Sequence, residues 1–190
     1  MRIARILAVV SCLAFAGIAN ASDFISLGAS QIKAMTVSGL NWKVGDHLSY
    51  AVTMEQLPIP MTMTEDVTAV TADGITLVQV IDMMIQKQEV KILIDPNTGK
   101  IKKMWVNGQE QAPPADEGTP HIIKQEEVKN FAVKAGTFDA IHLIIENDKK
   151  EQTEMWINPL AIPITGALKM IATQQGQKIT MELTAFKRGN

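Results

Sequence analysis

Ile179-Thr180-Met181-Glu182-Leu183-Thr184-Ala185 is the stretch that decides the fold. Its odd positions are all apolar and its even positions all polar. An extended chain therefore puts the apolar groups on one side and the polar groups on the other. Wound as a helix, the same residues would scatter Thr and Glu around every side. One buried face and one wet face is the pattern of an antiparallel sheet.

The same reading extends toward the N-terminus. Residues 67–71 lead through Ala72-Asp73-Gly74 into 75–81, and 90–94 lead through Asp95-Pro96-Asn97-Thr98-Gly99 into 101–106, closed by Asn107-Gly108. Residues 141–146 lead through Asn147-Asp148-Lys149-Lys150 into 152–157, and 167–173 through Gln174-Gln175-Gly176 into the quoted strand. Gly, Pro, Asn and Asp mark each break, where positive or preset φ makes tight turns. Links this short predict hairpins between neighbours, in about nine or ten strands. Only 30–37 and 160–168 offer short helices, and Pro163 and Gly166 interrupt the second. So little helix cannot cover a large sheet. The expectation is a mainly β fold, a single curved antiparallel sheet forming a half-barrel or open barrel, with one or two short helices. The turn-rich stretch 107–120, with Pro113-Pro114, reads as a mobile loop at the rim.

The first twenty-one residues read as a secretory leader. Arg2 and Arg5 open it, residues 6–18 are apolar, and Ala19-Asn20-Ala21 fits a small-x-small cleavage site. Cleavage after Ala21 would leave 22–190 as a single exported β-rich domain, periplasmic or extracellular. An apolar run of 13 residues is short of the roughly 20 that span a bilayer as helix, and no later stretch reads as a transmembrane segment. A lipoprotein-type cut before Cys12 is the rival pattern. It would leave only Ile6 to Val10 as the apolar segment, so cleavage after Ala21 is the expectation.

Without Arg2 and Arg5 the chain holds 16 basic and 20 acidic residues, a net charge of -4. That balance gives no pull toward nucleic acid or anionic lipid. Cys12 is the lone cysteine, so residues 22–190 hold no disulfide, thiolate metal site or cysteine nucleophile.

Particular segments bring a resemblance. Residues 42–50 (Trp42-Lys43-Val44-Gly45-Asp46-His47-Leu48-Ser49-Tyr50) and 133–140 (Val133-Lys134-Ala135-Gly136-Thr137-Phe138-Asp139-Ala140) are followed by Glu154-Met155-Trp156-Ile157-Asn158-Pro159, then Gly166-Ala167-Leu168-Lys169 and Glu182-Leu183-Thr184-Ala185-Phe186. This resembles bacterial exported β-proteins of the TapB-like and LolA/LolB-like families, over most of 42–186. The resemblance implies a curved antiparallel sheet whose hydrophobic concave face, in the lipoprotein carriers, holds acyl chains. The 159–165 connector, with two prolines, is longer than the plain turn the families lead one to expect.

Chemistry-bearing candidates are sparse. Ala135-Gly136-Thr137 reads as a strand-to-strand turn, with Phe138 on the core, since a phosphate cradle needs further glycines and a helix start. Met54, Met61 and Met63 with His47 would suit cuprous copper, but methionine also fills irregular cores, as Met155, Met170 and Met181 do in apolar registers. His47, His121 and His142 lie in separate segments, short of the three or four convergent ligands of a zinc site. His142, between Ile141 and Leu143, is expected on the less buried face of its strand. Neighbouring carboxylates such as Glu65-Asp66 point to opposite faces in a strand, so no local acid–base pair forms and no catalytic residue is expected. Trp42, Tyr50, Trp105 and Trp156 are the rings expected to line a ligand groove, in a chain only 5% aromatic.

The leading functional expectation is an exported, non-enzymatic protein, without cofactor, that binds a hydrophobic ligand (lipid, acyl chain or apolar peptide) in its concave sheet. An envelope protein–protein interaction module, using a strand edge or the 107–120 loop, is the alternative. A periplasmic copper-binding protein is the second.

Overall fold

A computed structural model describes residues 41–190 apart from 56, 85, 114–120, 148–149 and 175–176. The leader with its cut after Ala21, Cys12 and the short helix expected at 30–37 lie outside the described residues, as does most of the tip of the 107–120 loop.

Eleven strands form one antiparallel sheet: β1 (His47–Met54), β2 (Leu57–Thr71), β3 (Gly74–Asp82), β4 (Lys87–Ile94), β5 (Ile101–Val106), β6 (Gln109–Gln111), β7 (His121–Val133), β8 (Gly136–Glu146), β9 (Gln152–Ile157), β10 (Ala167–Gln174) and β11 (Gln177–Lys187). Their spatial order is β6-β5-β4-β3-β2-β1-β11-β10-β9-β8-β7. Every sequence neighbour is a hairpin partner except β6 and β7, which form the two free edges. The sheet is therefore open, and β1 meets β11 in its middle. β6 lies inside the stretch expected to be loop, reached through Asn107-Gly108.

The alternation read from the sequence sets which face is buried. Leu48, Tyr50, Val52 and Met54 of β1 point to the inner face with Met61 and Met63 of β2 and Ile179, Met181 and Leu183 of β11. Cross-strand register lines up Leu143, Met155, Met170, Met181, Val52 and Met61 in one row across six strands. Such a row fills the space between strands with flexible, polarizable side chains.

The quoted strand departs from its pattern at one place. Ser49 pairs with Ala185 but Tyr50 with Leu183, so Thr184 is an extra residue, and its hydroxyl donates to Ser49 O at 3.0 Å. This bulge turns the following residues over. Ala185, read as part of the apolar face, is exposed.

Residues 158–166 form turns rather than a helix, and Leu168 belongs to β10. Asn158 organises them: its Oδ1 accepts from Leu160 N and Ala161 N at 3.1 and 2.9 Å, and its Nδ2 donates to Asp139 O. Ile162 N donates to Asn158 O, closing a single turn. Pro163 has no N–H to carry a helix on. Gly166 sits at φ +66, where a Cβ would lie 2.8 Å from Pro159 Cα, so the connector closes only with glycine there. Ile162 and Ile164 are buried by this loop. It takes the place of helical cover at one end of the inner face.

The sheet also curls at its other side. The β7–β8 turn, with Gly136 at φ +141, reaches past β9 and β10 to β11. There Ala135 N donates to Leu183 O at 3.1 Å and Lys134 N to Glu182 Oε1 at 3.0 Å. Phe131 stacks on Trp156 with centroids 5.1 Å apart, and Phe138 meets Phe186 edge-on at 6.0 Å. A second, smaller apolar layer is thus closed on the outer face.

Candidate functional site

The four rings expected to line one groove are divided between the two faces. Trp42 and Tyr50 come together at the inner end. Trp42 Nε1 donates to Ile164 O at 3.0 Å, and the Tyr50 hydroxyl lies 3.4 Å from Thr165 Oγ1 and donates to Ala167 O at 3.3 Å. Both rings hold the connector against the sheet. Trp105 and Trp156 follow Met104 and Met155 in their strands and so point to the outer face. Lys91 Nζ lies 5.3 Å from the Trp105 ring centre.

On the inner face, two polar side chains occupy positions that the alternation assigns to apolar ones. Glu65 follows Met61 and Met63, and Gln79 follows Ile75 and Leu77. The two are register partners on β2 and β3, and both are buried. Gln79 Nε2 donates to Glu65 Oε1 at 2.8 Å, while Glu65 Oε2 has no hydrogen-bond partner. Burial, only partly offset by the Gln79 bond, pushes the Glu65 carboxyl up to about 7 from its ordinary 4.5. Burial first, and then the charge of Glu65, raises the Tyr50 hydroxyl as well. In the sequence, Glu65 is marked not by its neighbour Asp66 but by standing in phase with Met61 and Met63.

The copper set does not converge. His47 points to the outer face, its ring nitrogens 2.7 Å from Asp66 Oδ1 and 2.8 Å from Ser49 Oγ, whereas Met54, Met61 and Met63 point inward. No group of three or more His, Cys, Asp or Glu side chains is placed to hold a metal among the described residues.

His142 does lie on the face opposite Leu143, yet it is buried there, although that face was expected to be the less buried one. Its Nδ1 is 2.8 Å from Glu126 Oε1 on β7 and its Nε2 is 2.7 Å from Glu154 Oε1 on β9. The ring stacks on Trp156, centroids 4.6 Å apart and planes within 6°. Lys169 Nζ approaches Trp156 at 5.7 Å from the next strand. Lys124 pairs with Glu126 at 2.8 Å, and Lys124 and then His142 hold the Glu126 carboxyl below its ordinary value.

β7 is the long exposed strand. It runs for 13 residues at the end of the sheet and pairs only with β8. Ile122 and Ile123 are 54% and 50% exposed. The other edge, β6, has three residues, all polar.

No protein-family model and no curated protein matches the chain. Solved structures do share its architecture. The MucA/MucB complex of Pseudomonas aeruginosa aligns at TM-score 0.50 and 10% identity, over 86% of this chain and 57% of that one, so this chain spans little more than half of it. A protein from Parabacteroides distasonis ATCC 8503 described as a lipoprotein aligns at 0.43 and 11%, over 78% and 97%. A Vibrio parahaemolyticus domain described as an outer-membrane lipoprotein-sorting protein aligns at 0.32 and 10%, over 85% and 92%. What the likeness to the MucA/MucB structure shows is the fold alone, an open antiparallel β-sheet. No helix among the described residues is long and apolar enough to cross a membrane.

Proposed function

We propose that this chain is a non-enzymatic binding protein of the cell envelope whose β7 edge takes up an extended segment of a protein partner. The observation that carries this is the free edge itself: a long strand bonded on one side, with two exposed isoleucines at its start. An unpaired edge offers backbone donors and acceptors to an added strand, and neighbouring side chains select its sequence. The fitting segment is extended and apolar where it covers Ile122 and Ile123. Charges at Lys124, Glu126, Glu127 and Lys129, and bulges at Ile122/Lys124 and Val128/Phe131, guard the remainder against indiscriminate pairing. MucB, which shares the sheet, is solved in complex with MucA, so a protein with this fold does bind another protein. Export rests on the leader read from the sequence.

A photo-crosslinker placed at position 123 is expected to give one stoichiometric protein adduct in envelope preparations. The same group at Val70, equally exposed on β2, should give none. Equal labelling from both positions would defeat the edge reading.

One observation favours the alternative, a hydrophobic ligand held on the inner face with Trp42 and Tyr50. With Oε1 taken by Gln79, the proton of a neutral Glu65 sits on the unpartnered Oε2, which would donate to an acceptor group on an otherwise apolar molecule. Native mass spectrometry separates the readings. A co-purifying lipid, displaced by fluorescent fatty acid, would favour this one.

A further inference from the structure

We propose that His142 is a charged clamp that fastens the middle of β7 to the sheet, and that the edge loosens when its imidazole loses a proton. The consequence for partner binding rests on the edge reading above; the clamp itself does not.

Both ring nitrogens of His142 face carboxylate oxygens, at 2.8 and 2.7 Å. Ionised carboxylates only accept, so both contacts are hydrogen bonds only when both nitrogens carry a proton. The charges also close. Lys124, Glu126, His142 and Glu154 form a chain of contacts alternating in sign from β7 to β9, and with an imidazolium their sum is zero. A neutral ring would leave one excess negative charge and set a lone pair against a carboxylate 2.7–2.8 Å away.

Every element packed on the ring adds to the same field. β7 contributes Glu126 with Lys124, and β9 contributes Glu154 and the Trp156 stack. β10 contributes Lys169 beyond Trp156, and Lys169 lies opposite Glu182 of β11. On β8 itself the same-face neighbours Ala140 and Ile144 are apolar.

β7 has this side-chain tie beside its backbone pairing with β8. Its flanking positions are mostly exposed, and Glu126 joins its centre to the buried row. Its far end is fastened separately, by Phe131 on Trp156. Loss of the proton would therefore loosen the stretch from Ile122 toward Lys129, whose pair with Asp139 and, beyond it, Phe131 on Trp156 keep the end near Val133 in place.

Nitrogen-15 spectra of the histidine rings test the clamp directly. In the wild-type protein, His142 is expected to show two protonated nitrogens in the clamped state. As the ring loses one, amide exchange in residues 122–129, corrected for intrinsic rates, should rise about tenfold, with β3 unaffected. His142→Phe keeps a flat ring against Trp156 but no hydrogen bonds. Its β7 amides should exchange at the fast rate at every pH. A wild-type ring with one bare nitrogen throughout the folded range, or a His142→Phe protein with wild-type protection of 122–129, overturns the clamp. Adduct yield at position 123 falling as the ring deprotonates would extend the clamp to the partner. A titrating clamp with no adduct at any pH would sink the edge reading and leave the clamp standing.

Discussion

Raising the pH from 5 to 8 weakens this protein against unfolding, and Glu65→Gln removes most of that loss. In the native state Glu65 keeps its proton up to about 7, whereas the unfolded chain releases it near 4.5. Between those values the folded form binds more protons, so each rise in pH favours unfolding. Stability from this group is fullest below 4.5, declines through the window, and levels off above about 7. The gap corresponds to roughly 3 kcal/mol at the alkaline end. A glutamine cannot ionise and retains an oxygen for Gln79 Nε2 to reach. Urea unfolding of the two proteins at half-unit pH steps gives the comparison. Wild-type and variant curves that stay parallel from pH 5 to 8 would show that Glu65 does not hold its proton in the fold.

The second large effect lies in the methionine row. Met170→Ala should cost about 2–5 kcal/mol, because Met170 is fully buried between Met155 and Met181 and the hole cannot close across a paired strand. Met170→Leu keeps the volume and should cost less than about 1.5 kcal/mol. Midpoints in urea measure both. Equal losses from Ala and Leu would mean that the thioether, rather than its bulk, matters at this position. Cuprous titration of the Leu variant would then be the next measurement.

Local alternation made the strands legible, and it failed where a distant strand sets the geometry. Ile179, Met181 and Leu183 fell on the buried side as read. Ala185 did not, because the bulge at Thr184 exists to fit Ser49 and Tyr50, more than 130 residues earlier in the chain. Glu65 and Gln79 were visible as polar residues in an apolar phase, and only their mutual pairing needed coordinates. The division of the four rings was also partly readable, since Trp105 and Trp156 each follow a methionine of the opposite phase. His142 was not readable. Its burial is made by Trp156 and by carboxylates from two other strands, none of them near it in sequence. The connector at 158–166 followed its breakers: Pro163 and Gly166 won over the helical spacing of Leu160 and Leu168.

The seam between β1 and β11 has a kinetic meaning. Two runs of hairpins, β1–β6 and β7–β11, each assemble from nearest neighbours, and among the described strands this seam is the one pairing that joins the two runs. Closing so long a loop is the slow event in a two-state search. A circular permutant opened between β6 and β7 would run all eleven strands in spatial order. Gly189 already donates to Asp46 Oδ1 at 2.8 Å, so a short linker between the tail and the segment before β1 suffices. Such a permutant should refold faster than the parent in stopped-flow dilution from urea, and its seam would become one more local turn.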